Sequence, residues 1–335
     1  GIVNLIVERE RGLLELEKRI AELRAANAQQ GSAGAGQAFD MSAEIRALEE
    51  KYSQIQREIF ESLTPWQKVH MARHPNRPTA ADYIAEFAQF DELHGDRHFR
   101  DDHAIVGGLG KLSERAVMII AQQRGRDTKE NLKRNFGMPS PEGYRKVQRL
   151  AELAAHLGLP IVTFVDTKGA DPGIGSEERA QSEAIAGCLY AFTIARVPIV
   201  ATVIGEGGSG GALALSIADR ILMLEHSYYS VASPEGCAAI LWSDASKAEE
   251  AATRLKLTAQ DLFEFGIADE IVPEPTGGAH RDPAGTISRV LKNIGSALDE
   301  LASLPAAELK EARYQKYRQI GAWQTERLET ARTGP

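Results

Sequence analysis

Ile199-Val-Ala-Thr-Val-Ile204 runs into Gly205-Glu-Gly-Gly-Ser-Gly-Gly211 and on into Ala212-Leu-Ala-Leu-Ser-Ile-Ala218. The first six residues are apolar or β-branched, which predicts a strand. The glycines break it, and a helix is predicted over Gly210–Ala218. A strand without polar alternation belongs in a sheet covered on both faces. The same step occurs upstream, where a strand predicted over Ile161–Val165 leads through Asp166-Thr-Lys-Gly-Ala-Asp-Pro-Gly173 into a helix predicted over Ser176–Ala195. Repeated strand–turn–helix steps define an α/β fold.

The glycine turn satisfies three patterns. Gly205, Gly207 and Gly210 match the dinucleotide fingerprint G-x-G-x-x-G, with Glu225 twenty residues beyond Gly205. In that motif the backbone approaches a pyrophosphate at a helix start. No Gly-Lys-Ser/Thr follows, which excludes a P-loop. Gly207-Gly-Ser209-Gly-Gly211 also matches the nucleophile elbow G-x-S-x-G, with Asp219, Asp244 or Asp269 and His226 or His280 downstream in triad order. The third reading needs no side chain. Glycines at a strand-to-helix turn leave N–H groups bare at the positive end of a helix, where they stabilise an oxyanion. A second glycine turn at Gly169-Ala170 could face the first across one reacting centre. Set against all three, the glycines could simply allow close packing of helix on strand.

Further β-rich runs, Ala104–Val106, Ala116–Ala121 and Ile221–Leu224, and a helix over Glu142–His156 extend the α/β pattern. The first sixty residues differ. Leu13, Leu16, Ile20 and Leu23, then Ile45, Leu48, Tyr52, Ile55 and Ile59, are spaced as on amphipathic helices. The break Gly31–Gly36 lies between them, and Asp40 is a candidate N-cap. This predicts a helical hairpin over 1–64, its apolar stripe packed on the main body or on a partner. Pro65–Pro78 reads as a connector, with a helix over Ala80–Phe90. The α/β domain spans 65–284 and ends at the loop Gly277–Pro283. A helical extension over 285–335 follows, with helices at Gly285–Leu304 and Ala306–Leu328.

A chain of 335 residues is long enough to bury a core without staples. Cys188 and Cys237, its two cysteines, cannot form a four-cysteine zinc site or a disulfide framework. A formal net charge of −8 disfavours a general nucleic-acid or anionic-membrane surface. No run of about 18 apolar residues and no signal-peptide pattern occurs, so a soluble, cytoplasmic protein is expected. His70, His74, His94 and His98 are too loosely spaced for a metal site. Arg124, Arg126, Lys129, Lys133 and Arg134 form a basic run, either a solvated face or a contact for phosphates or a partner. Ser233-Pro-Glu-Gly236 reads as a strand end and helix start, with Pro234 at the first helical position.

Seven stretches carry a family resemblance: Phe87–Arg97, Asp101–Gly108, Gly125–Arg149, Gly175–Ile185, Val203–Leu215, Tyr229–Trp242 and Ile271–Pro283. They resemble, in order, the alpha subunit of the bacterial and plastid type of acetyl-CoA carboxylase carboxyltransferase. The resemblance implies a crotonase-like (ClpP/crotonase) fold of stacked β-β-α units with an N-terminal helical hairpin and C-terminal helices. It implies transfer of a carboxyl group from carboxybiotin, held on a biotin carboxyl carrier protein, to acetyl-CoA, giving malonyl-CoA for fatty acid synthesis. The implied partners are a zinc-ribbon beta subunit in an α2β2 assembly, the carrier and a biotin carboxylase. No metal, nucleic acid or membrane is implied for this chain. By the family's motif the catalytic amides fall on Gly210 and Gly211, with Gly169 and Ala170 supplying or supporting the facing turn. Gly207 and Gly208 shape the turn on the cofactor side. Where the family usually reads Asp-Thr-Pro-Gly-Ala and an aromatic, this chain has Lys168 and Asp171, which leaves the acyl group open.

Overall fold

Along the predicted strands successive side chains enter two different cores. Met118 and Ile120, Ile161 and Val165, Ile199, Ala201 and Val203, and Ile221 and Met223 share one core. Their neighbours Val117 and Ile119, Val162 and Phe164, Val200 and Ile204, and Leu222 and Leu224 share the other. That is the two-residue period of a strand with both faces covered. The structure, a computed structural model, describes residues 4–32 and 41–321. Its sheet has eight strands: β1 (Gln89–Glu92), β2 (Ile105–Leu112), β3 (Arg115–Gln122), β4 (Ile161–Thr167), β5 (Ile199–Gly208), β6 (Arg220–Leu224), β7 (Tyr228–Ser230) and β8 (Glu270–Val272). The order is β1-β2-β3-β4-β5-β6-β8, with β7 paired to the far end of β5. The first three strands are antiparallel and the rest parallel.

The helices Pro141–Leu157 and Gln181–Ile194 cover the first core through Tyr144, Val147, Leu150, Cys188 and Phe192. Ala80–Ala85 and Pro283–Ala302 cover the second through Tyr83, Ile287, Val290, Ile294 and Leu298. The N-terminal hairpin, Leu5–Ser32 and Ser42–Phe60, closes on itself through Ile20, Leu23 and Ile45. It also grips the body, since Asn4 Nδ2 donates to the His70 carbonyl at 2.9 Å and Glu10 bonds His74 and His280. The candidate cap Asp40 and much of the break before it lie outside the described residues, as does the predicted helix beyond residue 321. Within the described residues that last helix runs Ala306–Arg318.

The structure departs from several sequence expectations. The helix over Ala80–Phe90 stops at Ala85, and Gln89–Glu92 instead pairs with β2 as an edge strand. Pro65–Ala72, read as connector, is a helix, because Thr64 and Gln67 form a reciprocal capping box and Pro65 stands at the first position. Ser176–Ala195 is two helices, Ile174–Glu178 and Gln181–Ile194, broken where Ala180 takes φ +62°. The largest correction concerns the glycine turn. Strand β5 does not stop at Ile204 but continues to Gly208, pairing Glu206–Gly208 with Tyr228–Ser230. The helix that follows is only Ser209–Leu213.

Candidate active site

The extension of β5 passes through an irregularity that positions everything after it. Val165 pairs with Val203, yet Thr167 pairs with Gly207, so β5 carries two extra residues. Side chains satisfy the backbone groups this frees. Arg77 Nε donates to the Ile204 carbonyl at 2.8 Å, and the Glu206 N–H donates to Asp166 Oδ1 at 3.0 Å. Arg77 is itself fixed by a bidentate pair with Glu274 at 2.6 and 2.8 Å. Burial alone would raise the Glu274 carboxyl, but Arg77 outweighs it and holds the pKa at about 2.

At Gly208 the strand meets the upstream turn. A Cβ on Gly208 would lie 2.1 Å from the Lys168 carbonyl oxygen, and one on Gly211 would lie 2.7 Å from the Ala170 nitrogen and 2.9 Å from the Tyr144 hydroxyl. The structure thus brings together the two turns singled out in the sequence, and close approach accounts for glycine at both positions. Ser209 between them takes φ +56°, a conformation that costs a non-glycine residue roughly 1–2 kcal/mol.

The first N–H groups of a helix have no partner four residues back. No side chain caps Ser209–Leu213, so the Gly210 and Gly211 amides at its start meet no side-chain acceptor among the described residues. Gly210 is half-buried and Gly211 buried. On the facing turn the Gly169 N–H is engaged by Thr167 Oγ1 at 3.1 Å, whereas the Ala170 amide has no partner among the described residues. Thr167 Oγ1 also lies 2.7 Å from the Gly137 carbonyl oxygen. Gly207 is buried in the strand between Thr167 and Tyr229.

Beside the turns a cleft of about 230 Å³ is lined by Arg73, Arg124, Asp166, Thr167, Lys168 and Glu206, among others. Most of its cations are neutralised. Arg73 pairs with Glu206 and Glu235 at 2.7 and 2.5 Å, Arg124 with Asp166 at 3.2 Å, and Arg126 with Asp82. The basic run is therefore largely paired within the fold. Lys168 is exposed, and its side chain makes no hydrogen bond or ion pair among the described residues. Asp171, by contrast, accepts from the Ser176 hydroxyl and is not its partner. Larger clefts, such as one of about 530 Å³ beside Asp219, Leu309 and Arg313, contain none of the glycine-turn residues.

The competing readings of the turn lack support in this geometry. Gly205–Gly208 is paired strand and not a loop around a pyrophosphate, and Glu225 accepts the Glu274 N–H. No histidine bonds Ser209 among the described residues. His280 bonds Glu10, and His226 Nδ1 is buried without a partner. One group has the composition of a metal site: Glu10, His74 and His280 converge, with the two imidazoles stacked at 3.6 Å. His74 Nδ1 accepts the Asn76 N–H at 3.2 Å, so Nε2 carries the proton and donates to Glu10. A metal-bound histidine instead donates through its other nitrogen. The group is a hydrogen-bonded latch.

Gln122 and Asp166, which link the two turns, went unnoticed in the sequence. Each opens a polar run at the end of a largely apolar strand, and nothing local distinguishes it from an ordinary strand terminus.

Comparison with known proteins gives the class, a carboxyltransferase component. The family model described as acetyl co-enzyme A carboxylase carboxyltransferase-like matches residues 6–321, and the chain belongs to that family. Its relatives there carry the alpha-subunit name. The chain is 51% identical over 318 residues to the acetyl-coenzyme A carboxylase carboxyl transferase subunit alpha of a Thermus thermophilus strain, covering 95% of this chain and 98% of the relative. It is 53% identical over 315 residues to that of Sorangium cellulosum, covering 94% and 97%. Among solved structures, transcarboxylase 12S superposes with a TM-score of 0.54 at 19% identity, over 67% of this chain and 41% of that one. A Pseudomonas malonate decarboxylase hetero-tetramer gives 0.53 at 18%, over 68% and 88%. These two share the fold.

Proposed function

We propose that this chain forms the biotin side of a carboxyltransferase site, moving a carboxyl group from carboxybiotin on a carrier protein to acetyl-CoA to give malonyl-CoA. One observation carries the reading: the Gly210 and Gly211 amides open a helix that no side chain caps, against a turn whose Ala170 amide has no partner among the described residues. Bound here, carboxybiotin supplies the carboxyl group and a ureido oxygen that gains negative charge as that group leaves. The residues present fit such an oxygen, because fixed amides at a helix N-terminus hold an anion without reorganising. Each donor in such a hole is worth roughly 3 kcal/mol. Gly169 supports the facing turn through its bond to Thr167, and Gly207 and Gly208 set the close approach on the cofactor side. No side-chain acid or base of this chain is assigned a step.

The subunit-alpha name of the relatives supports a second, beta chain. Cys188 is buried and Cys237 stands apart from it as a free thiol, so a zinc ribbon would have to come from that partner. An α2β2 assembly, a biotin carboxyl carrier and a biotin carboxylase complete the proposal, placed in the cytoplasm. No helix among the described residues is long and apolar enough to cross a membrane. The unpaired Lys168 at the cleft favours one variant of this reading, in which the acceptor is another short acyl-CoA. The test is to mix the chain with a beta partner and carboxybiotin and to assay acetyl-, propionyl- and butyryl-CoA. Malonyl-CoA formation that requires both chains is expected. Preference for a longer acyl-CoA selects the variant, and no carboxylated product with any acceptor refutes the proposal.

A further inference from the structure

The geometry points to Gln122 as a positioning residue for the transfer reaction, holding the amide-bearing turn at Gly210–Gly211 in register with the turn at Gly169–Ala170. The inference rests on the site proposed above. It begins with a backbone group left over by the short helix. Past Gly208 the hydrogen bonds run from Ala214 N–H to the Gly210 carbonyl, from Leu215 N–H to Ala212 and from Ser216 N–H to Leu213. The Gly211 carbonyl is skipped. A buried carbonyl without a partner is costly, and Gln122 Nε2 donates to it at 2.7 Å.

The other end of the same amide meets the second turn. The β3–β4 ladder ends at the pair Ala121–Phe164, so the Asp166 N–H has no strand partner. Gln122 Oε1 accepts it at 3.1 Å. Asp166 in turn accepts the Glu206 N–H, which fixes the irregular end of β5. One fully buried side chain therefore closes a circuit through the ends of β3, β4 and β5. The amide supplies from one side chain both the donor that Gly211 needs and the acceptor that Asp166 needs. No other side chain bonds the Gly211 carbonyl among the described residues. Gln122 touches no reacting atom, and its effect comes through the two turns it joins.

The test uses the enzyme assembled with its beta partner. Gln122→Met keeps the volume and loses both bonds. It is expected to lower kcat about 10- to 100-fold, the usual effect of a small misplacement in a site, while KM for the acyl-CoA stays unchanged. Gln122→Glu supplies a second signature. A carboxylate there accepts from Asp166 but repels the Gly211 carbonyl, whereas the protonated acid can both accept and donate. Burial raises the pKa of such a carboxyl. The kcat of Gln122→Glu, relative to the parent, is therefore expected to climb as pH falls from about 8 to about 6, with no such climb for Gln122→Met. A merely structural role would not produce that profile.

Parent-like kcat in a folded, assembled Gln122→Met overturns the inference, as does a flat relative profile for Gln122→Glu. If Gln122→Met fails to assemble, the Gln122→Glu profile decides alone. Gly210→Val is run alongside. If it abolishes transfer while both Gln122 variants behave as the parent, the positioning role fails and the site stands. If it leaves transfer intact, the site reading fails and the Gln122 role falls with it.

Discussion

Gly210 and Gly211 are neighbours with different reasons to be glycine. A Cβ on Gly210 would meet nothing nearer than Ile185 Cδ1 at 3.5 Å, an ordinary contact. A Cβ on Gly211 would press into the 169–170 peptide and the Tyr144 hydroxyl. Tyr144 cannot easily retreat, being fully buried in the core. Gly211→Ala is therefore expected to lose about 1–3 kcal/mol of stability by overpacking, read from the midpoint of chemical denaturation. Gly210→Ala should melt where the parent does. Equal midpoints for the two variants would show that the turns are not packed as described. The same contact explains why the sequence exposed these glycines but not their reason. Spacing reveals a turn, while the neighbour that forbids a side chain arrives from about forty residues upstream.

At the scale of elements, strand periodicity was legible because both faces of the sheet are buried, so β3 to β6 are runs of apolar residues. Edges were not. Gln89–Glu92 is largely exposed and polar, and only pairing with β2 makes it a strand. The length of β5 was hidden for a related reason. Its last residues are glycines, which argue locally for a turn, but β7 supplies the ladder that keeps them extended. The site was legible as two turns and not as a linked pair, because Gln122 and Asp166 act through tertiary hydrogen bonds that leave no sequence period. The break at Ala180 was hidden as well, since alanine is a good helix former. Its φ of +62° is strained for any residue with a Cβ. Ala180→Gly should therefore stabilise the protein by about 0.5–1 kcal/mol, visible as a raised Tm. A lowered Tm would mean that the kink is not present.

Over the whole molecule, buried polar contacts tie the outer helices to the sheet. Arg313 bonds both Asp219 oxygens at 2.9 and 2.8 Å and the carbonyls of Phe192, Ala195 and Val197. Removing it with Arg313→Met strands a buried carboxylate, and a loss of about 3–5 kcal/mol is expected in denaturant titration. At the other end the latch is proton-linked. Burial would raise the Glu10 carboxyl, but hydrogen bonds from His280 and His74 outweigh it and hold the pKa at about 2. Because the folded value lies below the ordinary 4.5, this stabilisation is complete above about pH 4.5 and is lost as pH falls toward 2. Burial also lowers the His74 pKa, so protonation below about pH 6.5 disfavours the latched state. Hydrogen-exchange protection factors over residues 5–20, which divide out the intrinsic rate, should fall on acidification, and Glu10→Gln should remove the part below about pH 4.5. Backbone amides at a helix start are the proposed source of the chemistry. The most direct test is the kcat of Gly210→Val against Gly210→Ala in the assembled carboxyltransferase. Loss of about 10²–10³ in kcat for valine, with the alanine variant close to the parent and assembly intact in both, is the predicted result. Parent-like turnover by Gly210→Val would contradict it.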